Sequence, residues 1–97
     1  MRYDIIYSFK ARANIRRLKA NARAVVRGAI EEHLRYEPKK VSKSRIKQMR
    51  DIASPHYRLR VDDVRIYYDV DSDTVIIHAI LLKSESQDWL KEVEGTK

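Results

Sequence analysis

Residues 57–70 read Tyr57-Arg58-Leu59-Arg60-Val61-Asp62-Asp63-Val64-Arg65-Ile66-Tyr67-Tyr68-Asp69-Val70, two alternating runs about a pair of aspartates. Successive side chains of a strand point to opposite faces, so Tyr57, Leu59 and Val61 share one face and Arg58 and Arg60 take the other. The same rule sets Val64, Ile66, Tyr68 and Val70 on the apolar face and Arg65, Tyr67 and Asp69 opposite. Asp62-Asp63 is a tight turn that pairs the two runs as a hairpin. Asp71-Ser72-Asp73 makes a second turn. Residues 75–82 are apolar on both faces, as expected of a strand with neighbours on either side. The stretch from His56 to Leu82 therefore predicts an antiparallel meander.

The flanks extend this pattern. Residues 2–8 alternate loosely and are rich in Tyr and Ile, which predicts a first strand. From Phe9 the period lengthens. Phe9, Ile15, Leu18 and Ala22 fall on one helical stripe, with Lys10, Arg12, Arg16, Arg17 and Lys19 in water. Asn21 is the expected N-cap of a second helix running to about Tyr36. Val26, Ile30 and Leu34 line its apolar face, Ala22 and Ala29 allow close approach, and Pro38 marks its end. Two short helices joined by a tight link predict a helical hairpin. Residues 38–55 read as an ordered loop with one helical turn, anchored by Val41, Ile46, Met49 and Ile52. Ser84 with Gln87 three residues on is a capping-box signature for a last helix. That helix carries Trp89, Leu90 and Val93, a core or partner-binding stripe. The order β-α-α-β-β-β-α predicts an α+β domain, a helical hairpin packed on a mainly antiparallel four-stranded sheet.

Composition narrows the class. A chain of 97 residues, 43% hydrophobic and 36% charged, has material for one core and no second domain. It contains no cysteine, which excludes disulfides and thiolate metal sites. No apolar run reaches the ~20 residues of a membrane span, and the N-terminal stretch lacks a signal-peptide core. A small cytoplasmic domain is expected. The net charge is +7, and it is uneven: residues 1–60 hold 17 basic and 5 acidic side chains, residues 61–97 hold 4 and 9. Such a field favours a polyanionic partner, most simply nucleic acid. Part of it also belongs to ordinary helix pairs such as Arg27–Glu31 and Glu31–Arg35.

Arg58, Arg60 and Arg65 stand on one face of the predicted hairpin beside Tyr67. Unpaired charge is costly to bury, so this face is expected to be open to solvent or ligand. Guanidinium groups bind phosphate bidentately, and Tyr67 beside them can stack on a base. The bland alternative is a solvated face balanced by Asp62, Asp63 and Asp69. Lys43, Arg45, Lys47 and Arg50 in the basic 39–50 stretch would extend a phosphate track. His56 falls on the arginine face by alternation; the face of His78 is left open, because its strand is apolar both ways. Three scattered histidines without cysteine make a poor metal site, so no metal or cofactor is expected.

The run from Tyr57 to Val70, followed by Asp-Ser-Asp and by Val75-Ile-Ile-His-Ala-Ile-Leu-Leu-Lys83, resembles the RelE/ParE superfamily of toxins from toxin–antitoxin pairs. The strand and helical hairpin before it, the proline after the second helix and the short last helix match as well. The resemblance implies one of two activities. The RelE branch cleaves messenger RNA on the ribosome and inhibits translation, whereas the ParE branch poisons DNA gyrase without nuclease chemistry. Carried over by position, Arg58 and Arg60 match the paired basic residues of the second strand, where lysine is common. Arg65 matches the third-strand arginine, and Lys83 lies in the basic segment after the fourth. Ser84 and Leu90 stand where an arginine and a tyrosine are usual. Arginines can stabilise a charged phosphorane but cannot serve as the base. His56 is the first candidate for that role, ahead of Lys83, Glu85 or an acidic turn residue.

The expectation is thus a metal-independent endoribonuclease toxin that acts on mRNA, paired with a cognate antitoxin. The alternatives are a gyrase inhibitor and a degenerate toxin that only binds its antitoxin. Losing Arg65 to Ala is expected to abolish cleavage while leaving the fold intact.

Overall fold

The computed structural model describes residues 1–95, with side chains as far as Val93. In chain order the elements are β1 (Asp4–Tyr7), α1 (Phe9–Arg16), α2 (Ala20–Leu34), β2 (Ile46–Gln48), β3 (Tyr57–Val61), β4 (Val64–Asp71), β5 (Thr74–Leu82) and α3 (Lys83–Gly95). The five strands form one sheet in the order β1-β5-β4-β3-β2. Only the β1–β5 pairing is parallel. Among the described residues no helix is long and apolar enough to cross a membrane.

The β3–β4 hairpin has the expected register, with Leu59 opposite Ile66, Arg58 opposite Tyr67 and Arg60 opposite Arg65. Asp62, at φ 51°, takes the left-handed conformation that the tight turn needs and that aspartate tolerates. The apolar face of the hairpin meets α1 and α2 in a core of Leu59, Val61, Val64, Ile66, Tyr68, Ile77 and Ile80 with Ile15, Val26, Ile30 and Leu34. Tyr68 is fully buried, stacks on Tyr57 at 5.4 Å and donates a 2.6 Å hydrogen bond to the Pro38 carbonyl. That bond holds the segment after α2 against the sheet.

Several expectations need correction. The 38–55 segment contains no helical turn; it contributes β2, a three-residue strand paired antiparallel with β3. The sheet therefore has five strands where four are expected. Phe9 opens α1 but is 88% exposed; the inward face of that helix is Ala11, Asn14 and Ile15. Asn14 is buried because its Oδ1 accepts from the Ile80 N–H at 3.0 Å, beyond the point where β1 stops covering the β5 edge. Asn21 does not cap α2, which begins at Ala20 after Lys19, and its Oδ1 accepts only from the next N–H. The link between the helices is tied instead by Arg23, whose Nη2 donates to the Leu18 carbonyl at 3.0 Å. Ser84 and Gln87 do not form the α3 cap. The helix begins at Lys83, with Leu82 at the capping position, and Glu85 Oε1 accepts from the Leu82 N–H, which is half of a capping box set two residues upstream.

Candidate nucleic-acid interface

The second face of the sheet carries the charge. Residues directly opposite in a ladder share a face, so the register defines two rows running across the strands. One row is Lys47, Arg58, Tyr67 and Ala79. The other is Arg60, Arg65 and Leu81, and the Arg60 N–H donates to the Arg45 carbonyl, which brings Arg45 alongside. Helix α3 lies over the apolar half of this face: Trp89 and Leu90 pack on Tyr67, Ala79 and Leu81 with Met49. The half formed by β3 and β2 stays open, and Arg60, Lys47 and Arg45 are exposed there.

The three arginines do project from neighbouring strands to the same side, in different surroundings. Arg65 is only 6% exposed, and its Nη1 donates to the Asp62 carbonyl at 2.7 Å and to the Val64 carbonyl at 3.1 Å. It clamps the hairpin turn. Arg58 is half-buried, and its buried Nε has no hydrogen-bond partner among the described residues. Burial pushes its guanidinium below the ordinary arginine range, aided by the Arg65 and Arg60 charges and opposed by Tyr67. Among the described residues, Arg58, Arg60, Arg65 and Lys47 form no salt bridge to a carboxylate. The balancing role considered for Asp62, Asp63 and Asp69 is not what the structure builds. Tyr67 is 2% exposed beneath Trp89, with ring centroids 5.0 Å apart, so it offers no free face to a base.

His56 stands two residues before Arg58, on the same side. Its Nδ1 lies 3.3 Å from Asp69 Oδ1, and its backbone N–H donates to that oxygen at 2.6 Å. The other carboxylate oxygen accepts from Ser54 Oγ and lies 2.8 Å from His78 Nε2. Burial alone would raise the Asp69 pKa; the hydrogen bonds from His78, Ser54 and the His56 backbone outweigh it and hold the carboxyl down to about 2. One ionised aspartate thus sits between two imidazoles.

The strand pattern could not assign His78 because its place depends on a bulge. Tyr67 pairs with Ala79 while Tyr68 pairs with Ile77, which leaves His78 as the extra residue. The interruption lets Ile77 stay in the core while His78 reaches Asp69. Asp69 and His78 are the site residues that the sequence reading missed. The alternation that set Asp69 beside Arg65 was the available signal for one, and there was none for the other.

Not all the expected site residues come together. Lys83 is exposed at the start of α3, and its N–H donates to the Asp63 carbonyl, at the turn end of the hairpin. His56 is at the opposite end, roughly 15–20 Å away along the strand. A single phosphate cannot engage both. Lys43 and Arg50 are exposed on either side of β2. Among the described residues no group of three or more His, Asp or Glu side chains is arranged to hold a metal ion.

A mixed sheet with a helical hairpin on one face and a short terminal helix on the other is the RelE-like fold, here with β2 as an additional edge strand. A chain of the toxin–antitoxin complex RelBE2 from Mycobacterium tuberculosis superposes with a TM-score of 0.73 at 23% identity, over 84% of this chain and 99% of its own. A chain of the RelB–RelE antitoxin–toxin complex from Methanococcus jannaschii superposes with a TM-score of 0.64 at 22% identity, over 87% and 96%. No model of a known protein family matches the sequence, and a search of curated proteins finds no relative.

Proposed function

We propose that this chain is the toxin of a toxin–antitoxin pair and acts as an endoribonuclease on messenger RNA, inhibiting translation at the ribosome. The fold it shares with chains of two RelBE complexes supports the toxin role. The observation that carries the RNA reading is the Arg58 site, a half-buried guanidinium crowded by two other arginines, with no partner for its buried Nε and no carboxylate beside it among the described residues. A phosphate diester relieves the repulsion, because its charge neutralises the crowded guanidiniums and its oxygens accept from their outer N–H groups.

In this reading Arg58 and Arg60 hold the scissile phosphate, with Lys47 and Arg45 continuing the track along the backbone. The 2′-oxygen attacks phosphorus as the P–O5′ bond breaks, giving a 2′,3′-cyclic phosphate and a 5′-oxygen that takes its proton from solvent water to leave as the hydroxyl. His56, oriented by Asp69 through Nδ1, has Nε2 free to take the 2′ proton. The guanidiniums stabilise the charge that builds on the phosphorane. Arg65 supports the hairpin that presents them, and Lys83 adds charge at the far end. The cognate antitoxin would neutralise this basic surface; co-purification with a small acidic neighbour tests the pairing.

The decisive measurement is mapping of transcript 5′ ends after induction of the wild type and of the Arg58→Ala/Arg60→Ala double variant. New ends in the wild type alone support the reading. Growth arrest with intact transcripts refutes it, and if purified protein also blocks supercoiling, gyrase is the target.

A further inference from the structure

A concavity adjoins the histidine pair. It has a volume of about 610 Å³ and lies between the first turn of α1, the 52–55 segment, the β5 bulge and α3. Its lining includes Phe9, Lys10, Ser54, His78, Trp89 and Val93. That volume falls in the range of pockets that take small ligands.

Phe9 is the unusual member. At 88% exposure it leaves a whole phenyl ring in water at the mouth of the groove, whereas the neighbouring Ala11 is fully buried. Ser8 explains why it stays there. Its Oγ accepts from the Ala11 N–H and donates to the His78 carbonyl, which locks the first turn of α1 to the β5 bulge. Across the groove Trp89 has one side against Tyr67 and remains part-exposed. His78, held by Asp69, adds a part-exposed imidazole to the lining of the groove. Two aromatic rings and an imidazole, with a lysine at the rim, suit a flat heterocycle attached to an anion.

The groove also continues the cationic face. His78 and His56 flank the same carboxylate, and Arg58 follows His56 by two residues on the same side of β3. A nucleotide whose phosphate meets Arg58 can therefore extend past His56 and Asp69 toward the groove.

We propose that this groove is a subsite for an unpaired nucleobase of the single-stranded RNA, with Phe9 and Trp89 as stacking faces and His78 as the edge contact. The proposal rests on the RNA reading above and adds residues outside the phosphate track. Base–aromatic stacking tolerates any base, so the subsite contributes affinity and register more than sequence choice.

Trp89 is the only tryptophan in the chain, so its fluorescence reports on the groove directly. The full chain is titrated with adenosine monophosphate, with a short 2′-O-methyl oligoribonucleotide that cannot be cleaved, and with inorganic phosphate. Both nucleotides are expected to quench Trp89, and inorganic phosphate is not. Phe9→Ala, which removes an exposed ring and spares the core, should weaken oligonucleotide binding by roughly 10-fold and reduce the quench. Quenching without transcript cleavage by the wild type upholds the subsite and sinks the nuclease reading. Cleavage that is equal in wild type and Phe9→Ala, with Trp89 unmoved by either nucleotide, overturns the subsite and leaves the nuclease reading standing. A Trp89 response only to the co-purified partner protein also overturns it, and assigns the groove to protein docking.

Discussion

Replacing Asp69 by asparagine removes the charge that sits between His56 and His78 while keeping the side chain's size. In the folded chain burial works against the ionised carboxyl, and donation from His78, Ser54 and the His56 backbone more than offsets it, so that it titrates at about 2 instead of 3.8. A folded-state pKa below the unfolded value contributes stability that is present above pH 4 and is lost as pH falls through 2. At about 1.4 kcal/mol per tenfold change in proton affinity, that contribution is roughly 2 kcal/mol. In a domain of this size it corresponds to a melting temperature lower by roughly 10 °C. Urea denaturation followed by Trp89 fluorescence at pH 7, 5 and 2.5 measures it. Asp69→Asn should be less stable than wild type at pH 7 and 5, with most of the gap closed at pH 2.5. Other carboxylates titrate alike in both proteins and cancel in the difference. A gap of equal size at all three pH values, or none at pH 7, would show that Asp69 is not the ionised centre of this cluster. If His56 is the base, the same variant also loses cleavage activity at neutral pH while its affinity for uncleavable RNA stays within a few fold.

Three other outcomes follow from the same geometry. Asn14→Ala leaves the buried Ile80 N–H without an acceptor and should cost roughly 1–3 kcal/mol in urea denaturation, with no effect on RNA affinity. Arg58→Ala/Arg60→Ala should lower the log–log salt slope of oligoribonucleotide binding by about 0.7, the value for the one phosphate contact on a single strand that the pair makes; an unchanged slope would place the phosphate track elsewhere. Arg65→Ala should lower the melting temperature measurably, since its Nη1 ties the Asp62 and Val64 carbonyls. This corrects the expectation that its loss leaves the fold intact, and makes Arg58 and Arg60 the cleaner positions for testing activity.

The parts of the fold that were readable are those where one periodicity dominates. Tyr57 to Val70 alternates without a break, and backbone pairing then has a single register that buries Leu59 and Ile66 together. Val26, Ile30 and Leu34 recur at helical spacing and are buried as that spacing requires. β2 was not readable because only Ile46 of its three residues is buried; the strand exists through its ladder with β3, and nothing local in Lys47 or Gln48 asks for it. That omission mattered for the site, since β2 is what aligns Lys47 with Arg58 and turns a loop of scattered cations into a row.

The face of His78 was hidden for a different reason. Residues 74–82 are apolar on both sides, so a one-residue slip leaves the pattern looking unchanged, and only the pairing of Tyr67 with Ala79 and Tyr68 with Ile77 reveals it. The bulge solves a local conflict. Without it, the pairing that sets Ala79 and Leu81 beneath α3 would turn Ile77 out of the core and His78 into it. An unpaired imidazole in an apolar core is costly, whereas on the other face it finds Asp69 at 2.8 Å. The same slip lets Ser8 hydrogen-bond the His78 carbonyl and fixes the first turn of α1, with Phe9 at its outer side. One extra residue in β5 thus places both the histidine pair and the aromatic mouth of the groove. Shortening the strand there should disturb Asp69, His78 and Phe9 together, before it disturbs the arginine rows.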